Sequence, residues 1–322
     1  MTTTSSHASP LVLHTLYGET MGTRWRVDLH APRSQELEAL HGAVQARLDA
    51  IVAQMSSWEP ESNLSRFNRA PAGSWHALPD DFFTVMDCAL QVARDSEGAF
   101  DPAIGALVGA WGFGAHAHAR GVPDGASLAG ARAASGWRRL QLDRDSRRLR
   151  QPGGLALDLS AIAKGYGVDA VLELLRERGI GAALVDVGGE LRAHGRKPDG
   201  SPWRVLVESG DADDGAPCVV TLDDAAIATS GPYWQHFEAA GRALSHTIDP
   251  RSGAPVADAP AAVSVLARST MLADAWSTAL TVMGLQAGLA FAETRGLAAR
   301  LLPTGAGAEA LATTSFENCV AP

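Results

Sequence analysis

Residues 155–179 read LALDLSAIAKGYGVDAVLELLRERG and contain the pattern that decides the fold. Leucines at every second position of 155–159 predict a strand. We expect a helix to follow from Ser160, a candidate N-cap, to about Arg178, because a glycine comes next as a C-terminal signal. A second apolar run at 182–187 ends in two glycines, so the stretch predicts a strand–helix–strand unit.

Further elements are predicted on both sides of this unit. Apolar residues spaced by three or four predict amphipathic helices over 35–56 and 80–97, and another helix is expected over 269–283. Short apolar runs predict strands at 203–208 and 226–229. Because strands and helices are mixed irregularly, the expected class is α+β rather than a regular doubly wound sheet.

The composition is that of an ordinary globular protein. The 322 residues are 46% apolar and 20% charged, and this length allows one large domain or two tightly joined ones. The net charge of −9 gives no support to nucleic-acid binding. No uninterrupted apolar stretch approaches the length of a membrane-spanning helix, which is about 18 to 20 residues. The three cysteines, Cys88, Cys218 and Cys319, lie far apart and are expected to be structural.

The N-terminal residues 1–10 are rich in Ser and Thr and are expected to form a disordered tail. They contain neither the basic segment nor the apolar core of a signal peptide. The chain as written is therefore expected to be cytoplasmic. A periplasmic location is the alternative if an export signal was removed.

A first group of candidate site residues lies at the start of the helix predicted from Ser160. A helix N-terminus offers unpaired N–H groups and a positive dipole end to a phosphate. Lys164 falls in the first turn, where a cation is unfavourable for the dipole, and an anionic ligand would explain it. Gly165 and Gly167 each cost roughly 1 kcal/mol in a helix relative to Ala, which fits a close approach to the backbone. A solvated lysine beside tolerated glycines is the alternative.

A second group lies on the helix predicted over 269–283. Asp274 and Thr278 are four residues apart and therefore share one face of a helix. A carboxylate and a hydroxyl are an oxygen pair suited to Mg²⁺, which takes its remaining ligands from water or a phosphate substrate. The alternative is a hydrogen bond between helices.

Two loops carry further polar residues. His246 precedes the turn sequence Asp-Pro-Arg-Ser-Gly at 249–253, and a histidine near neutral pH can act as a general base or contact a phosphate. Asp101 is held extended by the proline that follows it, and its carboxylate could accept from a ring N–H or a ribose hydroxyl. For both residues, a purely structural role is the alternative.

An indole beside hydroxyls follows the first predicted helix. Trp58 comes directly after Ser56 and Ser57, and its ring could stack on a planar ligand. An ordinary helix end is the alternative. The sequence offers no support for a Ser-His-Asp triad, a P-loop or a dinucleotide-binding glycine fingerprint.

Each of these signals is weak alone, but their order along the chain resembles the ApbE family of FAD:protein FMN transferases. The resemblance covers about residues 15 to 305. Its eight motifs are GETMGT at 18–23, MSSWEPESNLSRFN at 55–68, FDP at 100–102, LDLSAIAKGY at 157–166, VGGE at 187–190, ATSG at 228–231, SHTIDPRSG at 245–253 and MLADA at 271–275.

The resemblance implies an α+β, mixed-sheet, two-lobed architecture that is T-fold-like, with FAD in a cleft between the lobes. Residues 11–322 would then form a single domain of two intimately packed lobes. Mg²⁺ would bridge the FAD pyrophosphate. The metal ligands would be Asp274, Thr278 and the backbone carbonyl of Ala161. The implied FAD contacts are Met21, Ser56, Ser57, Trp58, Asp101, Lys164, Glu190, His246 and Ile248.

The implied reaction is transfer of FMN from FAD to a Ser or Thr hydroxyl of an acceptor protein, with release of AMP. His246, together with Asp249, would take the proton or orient the phosphate. The sequence departs from the family at Trp58, where a tyrosine is common, and at Ser160 and Ala161, where two glycines are common. An FAD pyrophosphatase and a flavin-binding protein without turnover are the alternative functions.

Overall fold

The computed structural model describes residues 10–115, 121–207, 218–231, 236–239, 242–305 and 308–321. The tail expected over residues 1–10 therefore lies, apart from Pro10, outside the described residues. Within the described ranges, no helix is long and apolar enough to cross a membrane.

The described helices and strands alternate irregularly along the chain. The helices are α1 (Leu37–Met55), α2 (Asn63–Asn68), α3 (Asp80–Asp95), α4 (Gly105–Ala110), α5 (Gly125–Ala133), α6 (Ala163–Glu177), α7 (Thr270–Met283), α8 (Leu285–Arg295) and α9 (Thr314–Glu317). The first seven strands are β1 (Leu11–Thr20), β2 (Thr23–Pro32), β3 (Trp75–Ala77), β4 (Gln141–Asp143), β5 (Arg148–Arg150), β6 (Ala183–Val187) and β7 (Glu190–His194). The later strands are β8 (Trp203–Val207), β9 (Cys218–Leu222), β10 (Ala226–Ser230), β11 (His236–Ala239), β12 (Arg242–Ser245), β13 (Ile248–Asp249), β14 (Ala254–Pro255), β15 (Ala262–Ala267), β16 (Ala298–Leu302) and β17 (Leu311–Ala312).

One antiparallel sheet of eight strands organises the fold, in the order β1-β2-β6-β7-β10-β15-β16-β17. Every described pairing in it is antiparallel. Smaller sheets of two or three strands lie beside it. The predicted α+β class is confirmed.

Two hairpins place their turns at the same end of the strands of this sheet. Met21 and Gly22 join β1 to β2, and Gly188 and Gly189 join β6 to β7, all four with positive φ. Two-residue turns of this kind match the right-handed twist of the strands. The N–H of Gly188 donates to the carbonyl of Arg24 at 3.0 Å, so the two turns lie side by side.

Helices α1, α6 and α7 cover one face of the sheet. Alternate residues of β2 and β6, such as Val27 and Val185, pack with Val44 of α1 and Val171 of α6 in one fully buried cluster. Each such side chain stabilises the fold by about 1.5–3 kcal/mol through its burial. Helices α3 and α7 and strand β15 share a second cluster. The opposite face packs against β8 and β9 through Trp203.

The strand predicted at 155–159 is wrong, because side chains satisfy the backbone there instead of a neighbouring strand. The fully buried amide of Gln151 accepts from the N–H of Leu155 at 3.2 Å and donates to its carbonyl at 3.0 Å. Asn68 does the same for Leu157, at 2.8 and 3.0 Å. The alternating leucines are buried as predicted, but the segment is extended without a strand partner.

The helix expected from Ser160 begins later, at Ala163. Ser160 is exposed, and both its N–H and its hydroxyl bond to the carboxylate of Asp158. The carbonyl of Leu159 accepts from the N–H groups of both Ile162 and Ala163. A tight turn therefore precedes α6, and Lys164 still lies in the first turn, as predicted.

The other sequence predictions agree with the structure to within a few residues. The helices predicted over 35–56, 80–97 and 269–283 are α1, α3 and α7. The predicted strands at 182–187 and 226–229 are β6 and β10, and β8 corresponds to the described part of the strand predicted at 203–208.

Replacing Gln151 by Leu should lower the free energy of unfolding by about 4 kcal/mol or more, because each buried polar group left unpaired costs about 1–3 kcal/mol. The amide also donates to the carbonyl of Phe67 and accepts from the N–H of Gly153, so four backbone groups lose a partner. Denaturant unfolding measures the change. The control is the same substitution at the exposed Gln141, where we expect a change within about 0.5 kcal/mol. Equal losses at both positions would contradict this account of the 155–159 segment.

Candidate functional site

Helices α6 and α7 are in backbone contact because residue 165 has no side chain. A Cβ on Gly165 would lie 2.4 Å from the carbonyl oxygen of Thr270 and 2.9 Å from the Cβ of Asp274. The N–H of Gly165 donates to Oδ2 of the buried Asp274 at 3.0 Å. The close approach therefore brings the carboxylate of Asp274 to the N-terminal turn of α6.

This hydrogen bond also changes the bonding of the residue before α6. In a regular helix, the N–H of Gly165 would donate to the carbonyl four residues earlier, that of Ala161. Because it donates to Asp274 instead, the carbonyl of Ala161 accepts no backbone hydrogen bond from any described residue. The carbonyl oxygen of Ala161 is thus available to a ligand, and hard cations prefer oxygen donors.

Lys164, which is partly exposed, forms a charged cluster with the buried Glu190 and Asp274. The Nζ of Lys164 donates to Oε1 of Glu190, which is 2% exposed at the start of β7. The second oxygen of that carboxylate, Oε2, is buried without a hydrogen-bond partner. One ammonium group thus faces two carboxylates, and the ionised cluster would carry one uncompensated negative charge.

The pKa values follow from this imbalance. Burial raises the pKa of Asp274, and burial together with the charge of Asp274 raises the pKa of Glu190. Burial opposes the charge of Lys164, but Glu190 and Asp274 outweigh it and hold the pKa of the lysine above its ordinary value. Two carboxylates that share one counter-ion favour binding of a further cation or a proton.

Thr278 lies one helical turn after Asp274 on α7 and is half-buried. The expected pairing of carboxylate and hydroxyl on one helix face therefore holds in the structure. The donor set that Asp274, Thr278 and Ala161 offer is all oxygen. Within the described residues, no group of three or more His, Cys, Asp or Glu side chains could hold a metal ion. A cation bound here would need further ligands from water or a substrate.

Met21 lies in the β1–β2 turn with a φ of 49°. A Cβ on Gly167 would lie 3.3 Å from the Cε of Met21, so the methionine packs against α6 at Gly167. Met21, which is predicted to contact the ligand, therefore lies against the helix that carries Lys164.

Ser56 ends α1 and orders the loop that carries Ser57 and Trp58. Its hydroxyl accepts from the N–H of Trp58 at 3.1 Å, and its carbonyl accepts from the hydroxyls of Ser62 and Ser65 at 2.6 and 3.2 Å. The indole of Trp58 is 70% exposed, while Ser57 is half-buried. A fixed backbone therefore presents a large aromatic ring to solvent, where a planar ligand can reach it.

Asp101 is buried, and its own chain occupies both of its carboxylate oxygens. Oδ1 accepts from the N–H of Ala103 at 2.7 Å and Oδ2 from the N–H of Trp137 at 3.0 Å. Burial raises its pKa to about 6. Next to it, the carbonyl of Pro102 accepts from the N–H of Asp158 at 2.9 Å, which connects this turn to the segment that leads into α6.

His246 lies just before the short strand β13, which consists of Ile248 and Asp249. The half-buried ring of His246 meets Phe113 edge-on, with 6.4 Å between ring centroids, and Ile248 is 3% exposed in the same apolar cluster. Asp249 accepts from the N–H and Nε of Arg251, both at 2.9 Å. Its carboxylate thus stabilises its own turn, and its catalytic assignment stays a prediction.

The structure brings Lys164, Glu190 and Asp274 together, with Ala161 and Thr278 beside them in the chain. Asp101 bonds to Ala103 and Trp137, the N–H of Trp58 bonds to Ser56, and the ring of His246 contacts Phe113.

Sequence reasoning missed two residues that bond to distant or irregular backbone. Asp169 accepts from the N–H groups of Thr270 and Met271, and Gln151 bonds to the backbone of Leu155. No local sequence pattern reveals either set of contacts.

The chain is similar to known proteins along most of its length. The model of the ApbE family matches residues 21–301. A FAD:protein FMN transferase of Klebsiella pneumoniae (strain 342) is 34% identical over 305 residues, which cover 94% of this chain and 87% of that protein. A FAD:protein FMN transferase of Vibrio cholerae serotype O1 is 36% identical over 305 residues, which cover 94% of this chain and 91% of that protein.

Solved structures are similar over the same length. The flavinyl transferase ApbE of Pseudomonas stutzeri, in its apo form, superposes with a TM-score of 0.89 at 39% identity and covers 96% of this chain and 97% of its own. The flavin transferase ApbE of Vibrio cholerae gives a TM-score of 0.87 at 34% identity, over 96% of this chain and all of its own. This chain belongs to the ApbE family.

Replacing Gly165 by Ala should lower the free energy of unfolding by about 1–3 kcal/mol, the usual cost of overpacking, because the new methyl group would push α7 away at Thr270. Denaturant unfolding measures the loss. Gly167→Ala is the matched control, since its Cβ would meet only the flexible ends of Met21 and Leu48. We expect that variant to be as stable as the parent or up to about 1 kcal/mol more stable, because Ala is the better helix former. Equal stability of the two variants would contradict the tight α6–α7 contact.

Asp101 should make the protein less stable as the pH rises from about 4 to 6. Because its folded pKa of about 6 lies above the ordinary value of 3.8, the folded state holds the proton more tightly, and this contribution is lost as the proton leaves. Asp101→Asn does not titrate. The free energy of unfolding of the parent minus that of Asp101→Asn should therefore fall across this range, measured by denaturant unfolding at each pH. A constant difference at Asp101 would contradict the prediction.

Proposed function

We propose that this chain transfers FMN from FAD to a Ser or Thr hydroxyl of an acceptor protein in a Mg²⁺-dependent reaction that releases AMP. The hydroxyl oxygen attacks the phosphorus of the FMN half, and the bond from that phosphorus to the bridging oxygen of the pyrophosphate breaks. AMP leaves with the bridging oxygen. Family membership and the names of the relatives support the transferase class.

One observation carries the proposal to this site. The cluster of Lys164, Glu190 and Asp274 has two carboxylates for one ammonium, with Glu190 Oε2 unpartnered. A divalent cation fits this imbalance, and its ligands would be the Asp274 carboxylate, the Thr278 hydroxyl and the carbonyl of Ala161. Hard oxygen donors with incomplete coordination are typical of Mg²⁺ that completes its shell on substrate phosphates. When bound, Mg²⁺ would neutralise charge on the pyrophosphate.

Lys164 would hold the same pyrophosphate from the N-terminal turn of α6. Its salt bridge to Glu190 fixes the ammonium group while leaving two of its three N–H bonds for phosphate oxygens. The positive end of the helix dipole adds to this attraction. Phosphoryl transfer depends mainly on such positioning and charge stabilisation, so the net charge of −9 is overcome locally.

The exposed indole of Trp58 would stack on a ring of FAD, with Ser56, Ser57 and Met21 beside it as further contacts. Asp101 has limited capacity to accept further hydrogen bonds, because both of its carboxylate oxygens already accept from backbone N–H groups. Its contribution would be to shape the FAD pocket through the turn at 101–103, and a remaining lone pair could still accept from FAD.

His246 would accept the proton from the acceptor hydroxyl as it attacks. The edge-on contact with Phe113 limits the orientations of its ring, and the buried Ile248 anchors the loop that carries it. Asp249 would act on this histidine by stabilising the turn that follows. Water in place of the acceptor hydroxyl would make the same site an FAD pyrophosphatase.

The test is incubation of the full chain with FAD, Mg²⁺ and an acceptor protein that carries a Ser/Thr flavinylation motif, followed by intact-mass analysis. An FMN-sized mass gain that EDTA abolishes supports the proposal. Release of FMN and AMP without a mass gain indicates the pyrophosphatase. FAD that stays bound and unchanged indicates a flavin-binding protein.

Asp274→Asn should reduce the Mg²⁺-dependent turnover by about 10²-fold or more, within the range found when an electrostatic partner of a transition state is removed. The exposed Asp145→Asn is the charge-matched control and should keep the parent rate. Full activity of Asp274→Asn in Mg²⁺ would overturn the assignment of the metal site.

A further inference from the structure

Asp169 connects α6 to α7 at a second point. It lies one helical turn after Gly165 on α6, and its two carboxylate oxygens accept from the N–H groups of Thr270 and Met271, both at 2.9 Å. These are the first two residues of α7, whose N–H groups have no partner inside their own helix. A side chain of one helix therefore caps the next.

The two contact points fix how α7 lies on α6. Gly165 lies against both Thr270 and Asp274, and Asp169 accepts from the N–H groups of Thr270 and Met271. The two attachment points are one turn apart on α6. Two attachments at this spacing determine both the axial position and the rotation of α7, which neither attachment determines alone.

Arg192 ties the same carboxylate to the sheet. Its Nη1 donates to Oδ1 of Asp169 at 2.8 Å, and both side chains are mostly buried, at 19% and 13% exposure. Arg192 lies two residues after Glu190 on β7, so Lys164–Glu190 and Asp169–Arg192 are neighbouring ion pairs between α6 and β7. The second pair is balanced in charge, unlike the cluster around Asp274.

We propose that Asp169 is a positioning residue: it sets the place of α7 so that Asp274 and Thr278 face the phosphate-binding turn at Lys164. The inference rests on the proposed function only in the identity of the metal ligands. The carboxylate oxygens of Asp169 bond to the backbone of α7 and to Arg192, and Asp169 is not among the proposed metal ligands. It acts through the N-terminus of α7, and its loss lets the helix shift along α6 with Asp274 and Thr278.

Ser269 provides a matched control for helix capping. Its hydroxyl accepts from the N–H of Leu272 at 3.3 Å, so it caps the same helix end from within its own segment. Ser269→Ala removes a cap of α7 but leaves the tie to α6 intact. A role in capping alone would give similar effects at Ser269 and Asp169, whereas a role in positioning would affect the metal site only at Asp169.

The test variant is the double substitution Asp169→Leu with Arg192→Leu. Removing both partners of a mostly buried ion pair avoids leaving one charge unpaired, so the fold should persist. Asp169→Asn is the second variant, which keeps the shape of the side chain and one acceptor oxygen. Circular dichroism and thermal unfolding verify that each variant is folded.

The first measurement is binding of Mn²⁺, as a spectroscopic substitute for Mg²⁺, to the full chain with FAD, followed by electron paramagnetic resonance. We expect about tenfold or more weaker Mn²⁺ binding in the double variant and a smaller loss in Asp169→Asn, since residues that orient metal ligands typically contribute 10–100-fold in affinity. Ser269→Ala should stay within about twofold of the parent, because a cap alone is worth about 1 kcal/mol of stability. Equal effects of Ser269→Ala and the double variant would overturn the proposal.

The second measurement is amide hydrogen exchange of peptides from α7. Both variants at Asp169 should speed exchange through the turn that contains Asp274, whereas Ser269→Ala should affect only the first residues of the helix. Unchanged exchange around Asp274 in the double variant would overturn the proposal. If the parent protein transfers no FMN, the proposed function fails, but the exchange comparison still decides the role of Asp169.

Discussion

The whole site depends on the backbone contact between α6 and α7 at Gly165. With no side chain at that position, the carbonyl of Thr270 can lie where a Cβ would stand, and the N–H of Gly165 can donate to Asp274. The same hydrogen bond leaves the carbonyl of Ala161 without a backbone partner among the described residues. Residue 165 thereby determines at once how near the two helices come, where the carboxylate points and which carbonyl is free.

Charge imbalance gives the cluster its chemistry. Lys164 can compensate the charge of only one of its two carboxylate neighbours. Burial raises the pKa of both Glu190 and Asp274. An apolar interior would normally exclude such an arrangement, because an unpaired buried charge is costly. Keeping two carboxylates beside one ammonium group therefore costs stability. By contrast, the pair of Asp169 and Arg192 is balanced and serves the architecture.

The sequence predicted the α+β class and most long helices, because local periodicity and ordered motifs carry that information. It failed at 155–159, where alternating leucines indicate burial on one side but not the partner of the backbone. The amides of Gln151 and Asn68 take the place of a neighbouring strand there, and no local signal reveals this. Asp169 was missed for the same reason: its partners lie about a hundred positions away, at 101 and 102 residues.

The separation of these contacts along the chain has a consequence for how the protein folds. Gly165 and Asp274 are 109 residues apart, and between them the chain must add β6, β7, β10 and β15 to the sheet before α7 can dock. Contacts across such distances form late, since the entropy of closing the loop must be overcome first. Helix α6 can form early from its own sequence, but the hydrogen bond between Gly165 and Asp274 forms only when the last long-range contacts close. A partly folded chain would therefore lack the charged cluster of Lys164, Glu190 and Asp274.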